Sequence, residues 1–173
     1  MKPKILLTSF QTWLPHHISN SSDDLLAKIQ KQDYSLLASL SFLRNLPVDI
    51  KLASQTTIKE IEDINPDVVI CCGMAEKRSK LTIESNAFCE DKCLYTSVDL
   101  AGLTKSLIAT EVSRNAGKFV CEGLYYRILE YIQLQSKHIH CIFIHVPLLR
   151  NNTDLIKKDF DSIIEYFGQN LAI

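Results

Sequence analysis

The chain has 173 residues, of which 46% are hydrophobic and 23% are charged, a composition typical of a soluble globular protein. Its length predicts a single domain over residues 1–173. The 19 basic and 20 acidic side chains nearly cancel, which argues against a nucleic-acid partner, and no stretch approaches the ~20 apolar residues of a membrane span.

Strand-like and helix-like segments alternate in the first half of the chain. The predicted strands are residues 4–9, 40–46, 68–72 (ended by Gly73) and 81–88. A helix is predicted to start at 21–24, and another contains Ile58, Ile61 and Ile64, whose spacing is helical. Residues 89–109 have weak periodicity and receive no assignment.

The alternation continues in the second half. Strands are predicted at 111–115 and 139–146, a helix follows Gly117, and Thr153 begins a last helix. This order predicts an α/β fold, a three-layer α/β/α sandwich with a mostly parallel twisted sheet. Ligands of such sheets bind beyond the carboxyl ends of the strands, so the loops after Ser9, Cys72 and His145 are the first places to search for a site.

Six cysteines are the unusual count, and an even number is compatible with disulfides. Cys71, Cys72 and Cys141 lie within apolar runs, however, where they are expected to pack as small buried hydrophobes. The N-terminal segment has a short apolar stretch and no small-residue cleavage site, unlike a signal peptide. We therefore expect a cytoplasmic protein with reduced thiols and no membrane association.

Three side chains are candidates for chemistry, and each has a plainer interpretation. Cys121 lies near the start of a predicted helix, where the dipole favours a thiolate and free N–H groups favour an oxyanion. From residue type alone, a buried structural thiol is the favoured interpretation. His145 lies at the end of an apolar strand. It either acts as a base for the thiol or is a core histidine that is hydrogen-bonded to the backbone. Glu84 either orients an imidazole or faces solvent.

Other clusters are weaker candidates. Cys89 and Cys93 with His138 and His140 resemble a zinc ligand set only loosely, because the spacing differs from the common finger pattern. His16-His17 lies in a polar loop and is expected to be solvated. Gly73 follows a strand without the rest of a phosphate-binding loop. No metal and no cofactor are predicted.

Three segments, in this order, resemble the pyroglutamyl peptidase I family, also called pyrrolidone-carboxylate peptidases. CCGMAEKRSKLTIES at 71–85 is similar to the family's Gly-x-x-x-x-Arg segment and the Ile-Glu that follows it. NAGKFVC at 115–121 resembles the motif around the nucleophile, and FIHVP at 143–147 that of the catalytic histidine. The opening KILLTSFQTWLP resembles the family's first strand and its Thr-Gly-Phe-x-Pro-Phe-Gly-Gly loop.

The resemblance implies a cysteine peptidase that removes pyroglutamate from N-terminally blocked peptides. By position in the motifs, Cys121 is the nucleophile, His145 the base and acid, and Glu84 the group that orients His145. Such an enzyme needs no metal. A homo-oligomer is left open.

The resemblance also implies a substrate pocket, which should be mostly apolar because pyroglutamate is an uncharged lactam. Phe10 and Trp13 align with the two aromatic residues of the first loop, and Phe119 and Val120 with residues just before the nucleophile. Backbone groups near Met74 would bind the lactam. Asn20 aligns with the asparagine of the family's Asn-Pro segment.

The chain departs from the family pattern near the pocket. The glycines of the first loop are absent, Trp13 replaces a Phe, Ser85 replaces an Arg, and Glu122 replaces an Asn. The segments between Glu84 and Cys121 and after Pro147 look shorter. Two alternatives therefore accompany the peptidase reading: a thiol amidohydrolase of the same fold with a changed substrate, and a catalytically silent binding homologue.

Overall fold

The computed structural model describes residues 2–150 and 152–171. Its elements follow one another as β1 (Lys4–Phe10), α1 (Ser21–Ile29), β2 (Ser39–Leu46), α2 (Ile50–Ile64), β3 (Val68–Met74), β4 (Leu81–Glu84), β5 (Asn86–Cys89), β6 (Lys92–Tyr95), α3 (Leu100–Thr104), β7 (Thr110–Ser113), α4 (Val120–Leu134), β8 (His140–Val146) and α5 (Thr153–Asn170).

Six strands form the central sheet, in the order β2-β1-β3-β8-β4-β7. β1, β2, β3 and β8 are parallel to one another, whereas β4 pairs antiparallel with β8 and parallel with β7. The short strands β5 and β6 form a separate antiparallel hairpin. The sheet is thus mostly parallel, as predicted from the alternation of elements.

Two hydrophobic clusters cover the two faces of the sheet, because successive side chains of a strand point to opposite faces. In β8, Ile142 and Ile144 pack with α1, α3 and α5, whereas Cys141 and Phe143 pack with α2, α4 and the β5–β6 hairpin. This is the predicted three-layer α/β/α sandwich. His145 follows Phe143 by two residues and therefore belongs to the face covered by α4.

The main differences from the predicted elements lie between β3 and β7. The strand predicted at 81–88 is two strands, because the Ser85 N–H bonds to Ser113 O and the chain then leaves the sheet to form the hairpin. β3 does not end at Gly73 but continues to Met74. The unassigned residues 89–109 contain β6 and α3.

All six cysteines are free, and Cys71, Cys72 and Cys141 are buried, which confirms their predicted packing role. Among residues 2–150 and 152–171, no helix combines the length and the apolar character needed to cross a membrane.

Candidate active site

The carboxyl ends of β1, β3 and β8 meet the first turn of α4 at one edge of the sheet. His145 in β8 lies opposite Gly73 in β3 on one side and opposite Thr82 in β4 on the other. Cys121 is the second residue of α4, which lies above this face. The fold therefore brings the three motif segments together although they are far apart in the sequence.

Glu84 and His145 form a buried hydrogen-bonded pair. His145 Nδ1 lies 2.8 Å from Glu84 Oε1, with Glu84 fully buried and His145 only 5% exposed. The plainer interpretation of Glu84 as a solvent-facing strand residue is therefore wrong. A carboxylate accepts the proton of Nδ1, which leaves Nε2 as the nitrogen available for proton transfer.

Arg78 and the Asn115 backbone hold the Glu84 carboxylate. Arg78 Nη1 donates to Glu84 Oε1 at 2.5 Å, and the Asn115 N–H donates to Oε2 at 3.2 Å. Burial alone would raise the pKa of Glu84, but hydrogen bonds from His145, Ser113 and Arg78 outweigh it and lower that pKa below its ordinary value. Glu84 is thus held as a carboxylate.

Cys121 lies against the backbone of β3. A Cβ atom added at Gly73 would come within 2.7 Å of Cys121 Sγ, closer than such contacts allow. Only glycine at this position lets the thiol approach the strand so closely. The Gly73 that ends the predicted strand is therefore a steric requirement of the thiol's position.

Burial favours the neutral form of the Cys121 thiol. Burial, together with the charges of Cys71 and Glu84, raises the pKa of Cys121 to about 12, although Arg78 acts in the opposite direction. Within residues 2–150 and 152–171, the thiol makes no hydrogen bond to His145. The helix start therefore does not by itself produce the predicted thiolate, and a base must take the proton.

Glu122, which replaces an Asn of the motif, faces away from the thiol. Its Oε1 accepts a hydrogen bond of 3.2 Å from the Phe88 N–H in the hairpin. Glu122 thus links the start of α4 to β5 through this hydrogen bond.

A cavity of about 210 Å³ opens beside the thiol. All six residues predicted to bind substrate line it, together with Cys121 and His145: Phe10, Trp13, Asn20, Met74, Phe119 and Val120. Four further residues, which were not predicted from the motifs, also line it: Val48, Ala116, Gly117 and Lys118.

Two aromatic rings form the outer wall of this cavity. The ring centroids of Trp13 and Phe119 are 5.1 Å apart, and each side chain is about half exposed, at 51% and 53%. Phe119 is therefore a surface residue of the cavity and does not fill the core. In contrast, Phe10 is buried at the bottom of the first loop.

Asn20 contributes to the cavity mainly as a structural anchor. Its Oδ1 caps α1 by accepting from the Ser22 N–H at 3.0 Å, and its Nδ2 donates to Gln11 O at 3.1 Å. The side chain thus ties the first loop to the start of α1.

Two residues that form hydrogen bonds to Glu84 were not predicted from the sequence. Arg78 is the arginine of the first motif, but its bond to Glu84 depends on where β4 is placed in the sheet. Tyr125 lies one helical turn after Cys121, and its hydroxyl donates to the Glu84 backbone oxygen at 3.0 Å. The spacing of four residues is the signal that places Tyr125 and Cys121 on one helix face.

The other histidine and cysteine clusters do not line this cavity. A cavity of about 710 Å³ is near the beginning of β8, away from Cys121, and Cys93, His138 and His140 line it. The expectation of a solvated His16-His17 pair is correct for His16 and wrong for His17, whose side chain is only 5% exposed and contacts Glu76.

Comparison with known proteins points to one family. A family model described as pyroglutamyl peptidase matches residues 93–163, which include Cys121 and His145. The pyrrolidone-carboxylate peptidase of Oceanobacillus iheyensis is 25% identical over an alignment of 193 residues, covering 94% of this chain and 96% of that protein. Because that alignment is longer than this chain, the relative has segments with no counterpart here.

Solved structures show the same fold. The pyroglutamyl peptidase I of Bacillus amyloliquefaciens superposes with a TM-score of 0.84 at 22% identity, covering 97% of this chain and 96% of that one. The pyrrolidone carboxyl peptidase of Fervidobacterium islandicum gives a TM-score of 0.86 at 19% identity, covering 97% and 99%. All three comparisons confirm the resemblance found in the motifs: this chain is similar to members of the pyroglutamyl peptidase I family.

Proposed function

We propose that this protein is a cysteine peptidase that hydrolyses the amide bond after an N-terminal pyroglutamyl residue, with Cys121, His145 and Glu84 as its catalytic residues. The observation that carries the proposal is the buried Glu84–His145 pair at the cavity that Cys121 lines. This is the arrangement in which a third group orients the base of a nucleophile.

The first step is activation of the thiol. His145 Nε2 takes the proton of Cys121 as Sγ attacks the carbonyl carbon of the pyroglutamyl amide, and Glu84 stabilises the resulting imidazolium through Nδ1. Because burial raises the pKa of Cys121, proton transfer is coupled to attack, with no standing thiolate.

The next steps release the two products. Backbone N–H groups in the first turn of α4 stabilise the oxyanion of the tetrahedral intermediate. His145 then protonates the leaving amine, the C–N bond breaks, and a thioester to Cys121 remains. Water, deprotonated by His145, hydrolyses this thioester and releases pyroglutamate.

The cavity suits a small, uncharged ring. Its volume of about 210 Å³ is below the range of drug-sized pockets, and Phe10, Trp13, Phe119 and Val120 supply apolar surface. Backbone groups near Met74 are the proposed partners of the lactam. A peptide with a free, charged N-terminus would lose solvation there without a compensating partner.

The first loop supports a second candidate, a thiol amidohydrolase with a changed substrate. A tryptophan stands where the family pattern has a smaller ring, and the loop lacks the glycines that permit positive φ angles. Both changes alter the recognition side of the cavity and leave the Glu84–His145 pair untouched.

A cytoplasmic location accompanies this proposal, because a nucleophilic cysteine and five other free thiols stay reduced in that compartment. N-terminally blocked peptides are the proposed partners.

The deciding experiment measures the release of a fluorogenic amine from its pyroglutamyl amide, with the prolyl amide as the substrate lacking the lactam carbonyl. We expect release from the pyroglutamyl amide only. Release should be abolished in Cys121→Ala and retained in Cys89→Ala, which changes a cysteine outside the cavity.

Absence of release by folded protein excludes the peptidase. Iodoacetamide labelling of Cys121 that depends on His145 then indicates the amidohydrolase, and its absence indicates a binding protein.

A further inference from the structure

Two histidines and a carboxylate converge just outside the catalytic cavity. His16 and His17 follow β1 in the first loop, and Glu76 follows β3. One ligand atom of each residue lies within 4.8 Å of the others. His17 Nε2 contacts Glu76 Oε1, and His16 Nε2 lies 3.8 Å from the same oxygen.

We propose that His16, His17 and Glu76 form a binding site for a divalent transition-metal ion, with Zn²⁺ as the best match. Two imidazole nitrogens and one carboxylate oxygen are a ligand set that zinc accepts, with a water molecule in the fourth position. Tetrahedral ligands at zinc distances lie about 3.3 Å apart, so the three groups need only small side-chain adjustments.

A backbone turn fixes the positions of the two histidines before any metal binds. The His17 N–H bonds to Leu14 O at 3.0 Å, closing a turn with Pro15 at the position that turns favour. The rings of His16 and His17 pack at 4.5 Å between centroids. Ordering of His16 and Glu76 is therefore the main entropic cost of binding.

A simple ion pair does not account for the whole cluster. Glu76 could pair with His17 alone, and that pair needs no second imidazole. His17 is also 95% buried at its side chain, yet its Nδ1 has no hydrogen-bond partner within residues 2–150 and 152–171. Within the described residues, the contact with Glu76 is thus the one side-chain polar contact of the buried His17 ring. His16 lies beside this contact and can supply the second nitrogen ligand.

The ion would join two loops of the cavity. Trp13 packs edge-on against His17, with ring centroids 6.2 Å apart, and also contacts Phe119. A metal held between the first loop and Glu76 would thereby fix the aromatic wall. The binding itself does not rest on the proposed peptidase activity.

Trp13 makes the site measurable, because it is the only tryptophan in the chain. Metal-free protein carrying Cys121→Ser, which removes the cavity thiol, is titrated with Co²⁺ while tryptophan fluorescence is recorded. We expect saturable quenching at one equivalent of Co²⁺, reversed by one equivalent of Zn²⁺.

Variants of single ligands supply the controls. His16→Gln and Glu76→Gln in this background should each weaken Co²⁺ binding by about tenfold or more, since each removes one ligand. His138→Gln, another exposed histidine, should leave the titration unchanged. Quenching that does not saturate, that Zn²⁺ does not reverse, or that both ligand variants leave intact would overturn the proposal.

Discussion

The two walls of the catalytic cavity are built in different ways. The inner wall is His145, which is buried in the sheet and hydrogen-bonded to Glu84 behind it. Arg78 and the Asn115 N–H in turn donate hydrogen bonds to Glu84. The outer wall consists of Trp13 and Phe119, which are half exposed and held by ring contact. A bonded, buried wall tolerates little change, whereas a surface wall can change shape at small cost. The departures from the family pattern in the first loop lie in the outer wall.

The largest effect is expected from Glu84→Gln. An amide in place of the carboxylate no longer fixes the Nδ1–H tautomer or stabilises the imidazolium, so kcat for the pyroglutamyl amide should fall about 10⁴-fold. Glu165→Gln, an exposed residue of α5, is the matched control and should keep full activity. A decrease below about tenfold in Glu84→Gln would contradict the role of the inner wall.

The second prediction concerns the thiol without its base. In His145→Ala, the raised pKa of Cys121, about 12 instead of the usual 9, should reduce iodoacetamide labelling near neutral pH about a thousandfold relative to an ordinary thiol. The sign is fixed because only the thiolate reacts and a higher pKa lowers its fraction. Mass spectrometry of labelled peptides should show the rate rising about tenfold per pH unit into the alkaline range. A labelling rate that levels off near neutral pH would show that the pKa of Cys121 is low and would contradict this prediction.

Gly73→Ala should have the next largest effect. The added Cβ would meet Cys121 Sγ at 2.7 Å and displace it, and misplacement of a reacting group by about 1 Å costs about a hundredfold in kcat. Gly123→Ala is the matched comparison, because its Cβ would meet Ile50 at the same 2.7 Å. Ile50 is partly exposed and can move, so this variant should remain active. Equal activity of the two variants would refute the steric argument.

The smallest effect is expected in the outer wall. Trp13→Ala removes the contact with Phe119 and part of the apolar surface, so KM should rise about tenfold with kcat nearly unchanged. Phe88→Ala, which truncates an exposed aromatic residue of the hairpin, should change neither parameter. A fall in kcat as large as that of Gly73→Ala would mean that the two walls are not separable.

Local sequence patterns predict most elements but not every strand partner. β1, β3 and β8 are continuous apolar runs, which is why they were predicted close to their observed bounds. The run from Leu81 to Phe88 looks like one strand because strand propensity does not register that the chain changes partners at Ser85. The antiparallel direction of β4 has no local signal either.

In the site, too, local patterns predict some features, whereas others depend on strand pairing. The ordered motifs placed Cys121, His145 and Glu84 in one site, and the structure brings the three close together. The bond from Arg78 to Glu84 and the approach of Gly73 to the thiol depend on strand register across the sheet. The helix start at Cys121 favours a thiolate, whereas burial, which the sequence does not measure, has the larger effect and raises the pKa of Cys121.

The antiparallel direction of β4 also bears on where the chain can change length. After Glu84 the backbone travels away from the cavity, and Thr96 donates to Cys141 O near the beginning of β8. Deletions and insertions in the β5–β6 hairpin, which follows directly, therefore leave the Glu84–His145 pair in place. The hairpin can therefore change in length while the proposed chemistry of the site is retained.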